Sequence, residues 1–419
     1  MSYLVINGGK PLEGEVSVHG SKNAVLPILA ATLLNRGINV IHNCPRLKDV
    51  EISLEILRHL GCTVTRDGDT VTVCSKNACG DHIPVELMRR MRSSIVFMGA
   101  ILARMQSAVM SMPGGCEIGL RPIDLHLKAF RTLGVDVVEE QGEIRCRMQK
   151  IIPQTIQLEL PSVGATENIM LLSCVADGVT VINNAAREPE IIDLQNYLNA
   201  IGACVTGAGT DTVKIRGVSR LHDGEHTIIP DRIVASTYLA CAMTTGGTVT
   251  LNRVIPAHIS AMIATLRECG AHIFLGRQSV TIRAPHTALP VRTIRTAPYP
   301  GFPTDAQSIL LSVLAVSRGT SIIKENIFEG RFRHAFELNR MGADIEVEGR
   351  LAVVRGVRRL YGCPVMACDL RSGAALVAAG LGAHGTTTVG NVHYIDRGYE
   401  QLERELRTLG ADIERVESL

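Results

Sequence analysis

The chain has 419 residues, 46% hydrophobic and 20% charged, which leaves room for two or three domains with full apolar cores and excludes a disulfide-stapled miniprotein. Lys plus Arg number 43 against 41 Asp plus Glu, and this net charge of +2 gives no electrostatic case for nucleic acid or an anionic membrane, so an anionic ligand must be held by a local cluster. No apolar run approaches the ~20 residues that span a bilayer; the longest, Ala24 to Leu34, is interrupted by Pro27.

The first residues, Met1 to Gly9, lack the basic and apolar segments of a secretory leader, so the protein is expected in the cytoplasm with its twelve cysteines reduced. A short strand is expected at Gly14 to Val18, followed by a polar turn and an apolar helix, Asn23 to Leu34. Next come a Gly-led strand, Gly37 to Val40, a second helix ending at Gly61, and a strand pair within Cys62 to Val73 turned at Asp67-Gly68-Asp69. The helix ending recurs, with a Leu or Phe four residues before a Gly and a β-prone pair after it, at Gly134, Gly202, Gly270, Gly342 and Gly410. These glycines lie 73, 68, 68, 72 and 68 residues apart, so six units account for the whole chain. A Gly just past the last apolar position of a helix is where a left-handed cap costs least.

Each unit reads as βαβαββ. The first helices, such as Ile309 to Val316 and Ala374 to Leu381, are nearly continuous in apolar and small residues and should be buried on all sides. The second helices interleave Arg, Glu and His and should face water. The units divide three and three, with a seam near Ile228 to Asp231.

The turns feeding the buried helices carry Lys22-Asn23, Arg92, Thr166-Glu167-Asn168, Asp231-Arg232, Thr304-Asp305 and Asp369-Leu370-Arg371. Ser, Thr, Asp and Asn there are ordinary caps. Lys and Arg are not, because a cation at a helix N-terminus opposes the dipole, so their recurrence points to anion binding. In the second unit Pro113-Gly-Gly-Cys116-Glu-Ile-Gly-Leu120-Arg121-Pro122-Ile123-Asp124 reads as a lid loop. Cys116 is the one cysteine expected at the surface, with Arg121 able to favour its thiolate, whereas most of the other cysteines should be small core residues. The pairs Cys74/Cys79 and Cys363/Cys368 lack the spacing and histidine partners of a zinc site, and no Gly-rich dinucleotide fingerprint follows a strand.

Gly20-Ser-Lys-Asn-Ala24, Met91-Arg-Ser-Ser-Ile95, the Pro113 to Asp124 segment, Ser162-Val-Gly-Ala-Thr166, Ala185 to Glu190, Pro300 to Asp305, Glu329-Gly-Arg-Phe332 and Asp396-Arg-Gly-Tyr399 together make the chain similar, over essentially its full length, to the enolpyruvyl transferases. The Gly-Gly-Cys lid sets it with the branch acting on a nucleotide sugar rather than the shikimate-pathway branch. The resemblance implies a two-domain inside-out α/β barrel, each domain built of three βαβαββ repeats: residues 20–229 with the lid, and residues 1–19 joined to 230–419. It implies transfer of the enolpyruvyl group of phosphoenolpyruvate to the 3-hydroxyl of UDP-N-acetylglucosamine with release of phosphate, the committed step of peptidoglycan precursor synthesis, with no metal or organic cofactor.

Carried over by position, Lys22, Arg121 and Arg397 resemble the phosphate clamp, and Arg331 and Arg371 the carboxylate partners. Asn23, Arg92, Arg121, Pro122, Ile123, Asp124, Leu125, Leu160 to Gly164 (with Ser162 and Val163), Asp305 and Ile327 resemble the nucleotide-sugar site. Cys116 is the implied acid and Asp305 the implied base, with Lys22 or Asp369 assisting elimination. Leu120, Gly330 and Pro161-Ser162 depart from common family residues, at positions that bear on nucleotide contacts and lid packing. The competing readings are a catalytically silent nucleotide-sugar binder on the same fold and enolpyruvyl transfer to another acceptor.

Overall fold

The computed structural model describes residues 2–111 and 123–417, so Cys116, Arg121 and Pro122 lie outside the described residues. The described chain forms two compact units, one of residues 20–229 and one of residues 2–19 with 230–417, and each has its own hydrophobic core. Among the described residues no helix is long and apolar enough to cross a membrane.

All six repeat glycines adopt positive φ, between 87° and 98°. At each, the amide of the next residue reaches back to the carbonyl five positions earlier, as in Cys62 to Leu57 at 2.9 Å, Ala271 to Leu266 at 3.0 Å and Ala411 to Leu406 at 3.1 Å. This is the Schellman cap, which demands a residue free of a Cβ clash in the left-handed region.

Each unit is bound by three four-stranded sheets. Every sheet combines an antiparallel trio with one strand added in parallel to the strand that follows a buried helix, as where Thr155–Gln157 pairs with Val179–Asn183. In four of the six sheets the crossover between these parallel strands contains the apolar helix, here Val163–Ser173. The sheets remain six separate four-stranded units, with no closed strand ring among the described residues, and the repeated α/β units with helices inside are those the resemblance implied. The buried helices are as expected: Thr304–Leu314 buries nine residues, and Arg232–Thr245 packs against both it and Leu370–Gly382. Outer helices such as Lys48–His59 are amphipathic, with one face on the core.

Two repeats exchange their leading strands. Glu13–Ser17, which precedes the first buried helix, pairs in parallel with Thr248–Asn252 of the fourth repeat. Gly224–Thr227, which precedes the fourth buried helix, pairs with Ile38–His42 of the first. The sheet of the last repeat is completed by Ser2–Asn7, antiparallel to both Asp412–Glu417 and Thr386–Gly390. The expectation that Gly14 to Val18 serves its own repeat is therefore corrected: the chain passes between units at residues 19/20 and 229/230. The first helix also runs Lys22–Ala31 rather than to Leu34, because Thr32 to Leu34 tighten into turns ahead of the strand.

Candidate active site

In the unit formed by 2–19 and 230–417, four predicted residues converge. Asp305 lies in the first turn of Thr304–Leu314, and Arg371 in the first turn of Leu370–Gly382. Arg331 comes from the connection after Thr320–Lys324. The two Asp305 oxygens are divided: Oδ1 accepts from Arg331 Nη2, while Oδ2 accepts from Arg371 Nη2 at 3.0 Å and Nε at 3.2 Å. Both arginine side chains are 3% exposed, against 27% for Asp305, so the carboxylate is the partly open side of the cluster.

Each guanidinium also rests on an aromatic face, Arg331 on Phe328 and Arg371 on Tyr399, 5.7 Å from each ring centre. Tyr399 is held by Thr237 at 2.8 Å between hydroxyl oxygens. Burial opposes a charge on Arg371, but Asp305, Tyr399 and Asp231 outweigh it and raise its proton affinity above the ordinary arginine value. Burial pushes the Tyr399 phenol up, with Arg371 opposing.

Asp369 caps the Leu370–Gly382 helix: its Oδ1 accepts from the amides of Arg371 and Ser372 at 2.8 and 3.0 Å, and Ser372 answers in a capping box. The same oxygen lies 3.9 Å from Arg331 Nη1. This aspartate is thus engaged in fixing the helix that carries Arg371. Arg397 ends the 3-10 turn Val392–Arg397, two residues before Tyr399. His334, fully buried, has its pKa lowered to about 4 by burial, with Asp369 opposing and Arg331 reinforcing.

In the unit 20–229, Lys22 opens the helix Lys22–Ala31 and is paired at 2.7 Å with Asp49, which is fully buried. Asn23 follows on the same turn, and Arg92 begins the 3-10 segment Arg92–Val96 that packs against this helix. Ile123, Asp124 and Leu125 stand at the start of Asp124–Thr132, and Ser162, Val163 and Gly164 at the start of Val163–Ser173, where Ser162 accepts from the Ala165 amide at 3.3 Å. These two helices pack together. Asn168 links them, donating from Nδ2 to His126 Nδ1 at 2.9 Å while its Oδ1 accepts from the Gly99 amide at 2.7 Å. Burial lowers the His126 pKa to about 4, so the ring is neutral and carries its proton on Nε2. That edge lies over Gly164, where a Cβ would come within 3.0 Å of the ring. A groove of about 540 Å³ on the Asp124–Thr132 helix includes Asp124, Lys128 and Arg131.

Sequence reasoning missed Asp49, His126 and the role of Tyr399; Glu167, which it placed at a helix start, is buried, and its carboxyl is pushed up by burial and by Glu190 and Glu188. It also missed two exposed cysteines: Cys79 and Cys204 reach the surface, the latter on the outward side of an edge strand, while six of the eleven described cysteines are buried as expected. Burial raises the thiols of Cys44, Cys62, Cys146, Cys174, Cys241 and Cys269 to about 12. Among the described residues no grouping of three His, Cys, Asp or Glu has the arrangement of a metal site.

The family model described as EPSP synthase (3-phosphoshikimate 1-carboxyvinyltransferase) matches residues 6–406, and the chain belongs to that family. Within it, the chain is 55% identical to the "UDP-N-acetylglucosamine 1-carboxyvinyltransferase 2" of Caldanaerobacter subterraneus subsp. tengcongensis, covering 99% of this chain and 100% of the relative. It is 49% identical to the "UDP-N-acetylglucosamine 1-carboxyvinyltransferase 1" of Carboxydothermus hydrogenoformans, covering 99% of each. The enolpyruvyl transferase NikO from Streptomyces tendae superposes with a TM-score of 0.89 at 26% identity, over 100% of this chain and 99% of that one. An EPSP synthase from Acinetobacter baumannii, at 17% identity, shares the fold with a TM-score of 0.75 over 99% of this chain and 100% of that one.

Proposed function

We propose that the protein transfers the enolpyruvyl group of phosphoenolpyruvate to the 3-hydroxyl of UDP-N-acetylglucosamine by addition and elimination, supplying a peptidoglycan precursor in the cytoplasm. The observation that carries this reading is the Asp305–Arg331–Arg371 cluster, in which residues far apart in sequence meet at one partly open carboxylate.

In the addition, the sugar hydroxyl oxygen bonds to C2 of the enol while C3 gains a proton and the hydroxyl loses one. Cys116 is the donor to C3 and Asp305 the acceptor from oxygen. In the elimination, C3 loses a proton, the C2–O bond to phosphate breaks and the double bond re-forms on the sugar ether. Lys22, Arg121 and Arg397 stabilise the departing phosphate, and Arg331 and Arg371 take the substrate carboxylate, for which the planar guanidinium fork is suited. Asn23, Arg92, Ile123 to Leu125, Ser162 to Gly164 and Ile327 hold the nucleotide sugar.

Asp305 is held between two buried guanidinium groups. When the phosphoenolpyruvate carboxylate engages Arg331 and Arg371, it takes guanidinium donors that otherwise face Asp305. The carboxylate of one substrate thus competes for the partners of the base that acts on the other.

Mixing the protein with both substrates should release phosphate in step with their consumption; binding of the nucleotide sugar without phosphate release would leave only a silent binder. The epoxide fosfomycin should alkylate Cys116 and leave the exposed Cys79 and Cys204 unmodified. Cys116→Asp should remain active and resist the drug, since a carboxyl group can donate the same proton.

A further inference from the structure

Glu325 is fully buried immediately after the strand Thr320–Lys324, and its carboxylate accepts four hydrogen bonds. Oε1 accepts from the Thr296 hydroxyl at 2.8 Å and from the amides of Ile327 and Phe328 at 2.7 and 3.2 Å. Oε2 accepts from the Thr304 hydroxyl at 3.0 Å. Because the Thr296 hydroxyl proton is spent on Glu325, its oxygen is free to accept from the Asn326 amide at 2.9 Å, and the Asn326 side chain donates to the Thr296 carbonyl at 3.0 Å. Burying a carboxylate without a cation is costly unless its oxygens are filled, and four donors fill them.

The two oxygens serve different places. Oε2 ties down Thr304, the residue before Asp305 at the start of its helix. Oε1 shapes the loop at Ile327 and Phe328, the latter being the ring on which Arg331 rests. Arg331 Nε in turn donates to the Thr304 carbonyl at 3.3 Å, closing a circuit from Glu325 through Thr304 and Phe328 to the base and its guanidinium partner.

We infer that Glu325 is a positioning residue that sets Asp305 through Thr304 and the nucleotide-sugar contact through Ile327, so that one buried carboxylate holds base and acceptor in mutual register. This rests on the proposed function. Displacing a reacting group by about 1 Å can cost up to roughly a hundredfold in rate, so each arm should register in a different constant.

The test uses the full chain with steady-state kinetics on both substrates, calorimetric binding of UDP-N-acetylglucosamine and thermal melting. Thr304→Val, which keeps volume and removes the hydroxyl, should lower kcat roughly tenfold with KM for the nucleotide sugar within about twofold, and Thr304→Ser should restore kcat. Glu325→Gln should lower kcat and also weaken nucleotide-sugar binding, and in the Thr304→Val background it should lower kcat by much less than it does alone. An active wild type whose Thr304→Val and Glu325→Gln variants keep both constants, or lose only melting temperature, overturns the assignment and leaves the functional reading intact. A wild type that releases no phosphate overturns that reading, and the assignment with it.

Discussion

Two carboxyl groups, one in each unit, lie in opposite surroundings. Around Asp305, carboxylates and guanidinium groups are interleaved: Asp305 has Arg331 and Arg371, and Asp369 is satisfied by helix amides. Around Glu167, in the unit 20–229, burial and the neighbouring Glu190 and Glu188 all push the proton onto the carboxyl. One arrangement pairs opposite charges; the other favours a neutral acid. Lys22 with Asp49, in the same unit as Glu167, shows that this half also pairs its buried ions where an anion site is expected.

The largest effect should come from the paired arrangement. Asp305→Asn should lower kcat by roughly 10² to 10⁴, the span typical of a positioned base, measured under saturating substrates; a loss under threefold would remove Asp305 from the chemistry. Next, Lys22→Met removes the 2.7 Å ion to fully buried Asp49 and should destabilise the unit by roughly 3–5 kcal/mol in denaturant titration. Lys22→Arg should recover much of that. A midpoint unchanged by Lys22→Met would show that the pair is not structural.

Smaller effects follow from protonation. His126 has a folded pKa of about 4, below the ordinary 6.5, so the unfolded chain binds its proton first. Its stability contribution is complete above pH 6.5 and falls as pH drops toward 4, by roughly 3 kcal/mol at most. His334 follows the same direction in the other unit. His126→Gln should flatten this part of the stability profile, and an unaltered profile would break the account of the neutral ring.

Glu167 has the opposite sign. Its folded pKa lies well above 4.5, so the unfolded chain releases the proton first and stability is lost as pH rises above 4.5. Glu167→Gln should therefore raise the unfolding midpoint at pH 8, with the gain vanishing below pH 4.5. Equal midpoints at pH 8 would mean that the carboxyl is ionised in the folded protein.

Much of this was legible before coordinates. The repeat glycines were readable because a positive-φ helix cap is a local steric demand, and Gly61, Gly134, Gly202, Gly270, Gly342 and Gly410 all meet it. The buried helices were readable from unbroken apolar runs, and the Lys and Arg residues at their starts from their conflict with the helix dipole. The strand exchange was not. Glu13–Ser17 and Gly224–Thr227 look like any leading strand, and which sheet each joins depends on where the chain crosses between units, which alternation does not encode. Asp49, Tyr399 and Glu325 were hidden for a related reason: their significance lies in partners brought close by folding. Cys204 reads as a core residue by type, but stands on the outward face of Cys204–Thr206.

The most direct test of the account is to incubate the full chain with phosphoenolpyruvate and UDP-N-acetylglucosamine and follow the sugar by proton NMR together with free phosphate. Enolpyruvyl transfer predicts a pair of vinyl resonances on a substituent attached at the 3-oxygen, appearing one for one with phosphate. Unchanged sugar resonances at high enzyme concentration, or vinyl signals at another position, would contradict it.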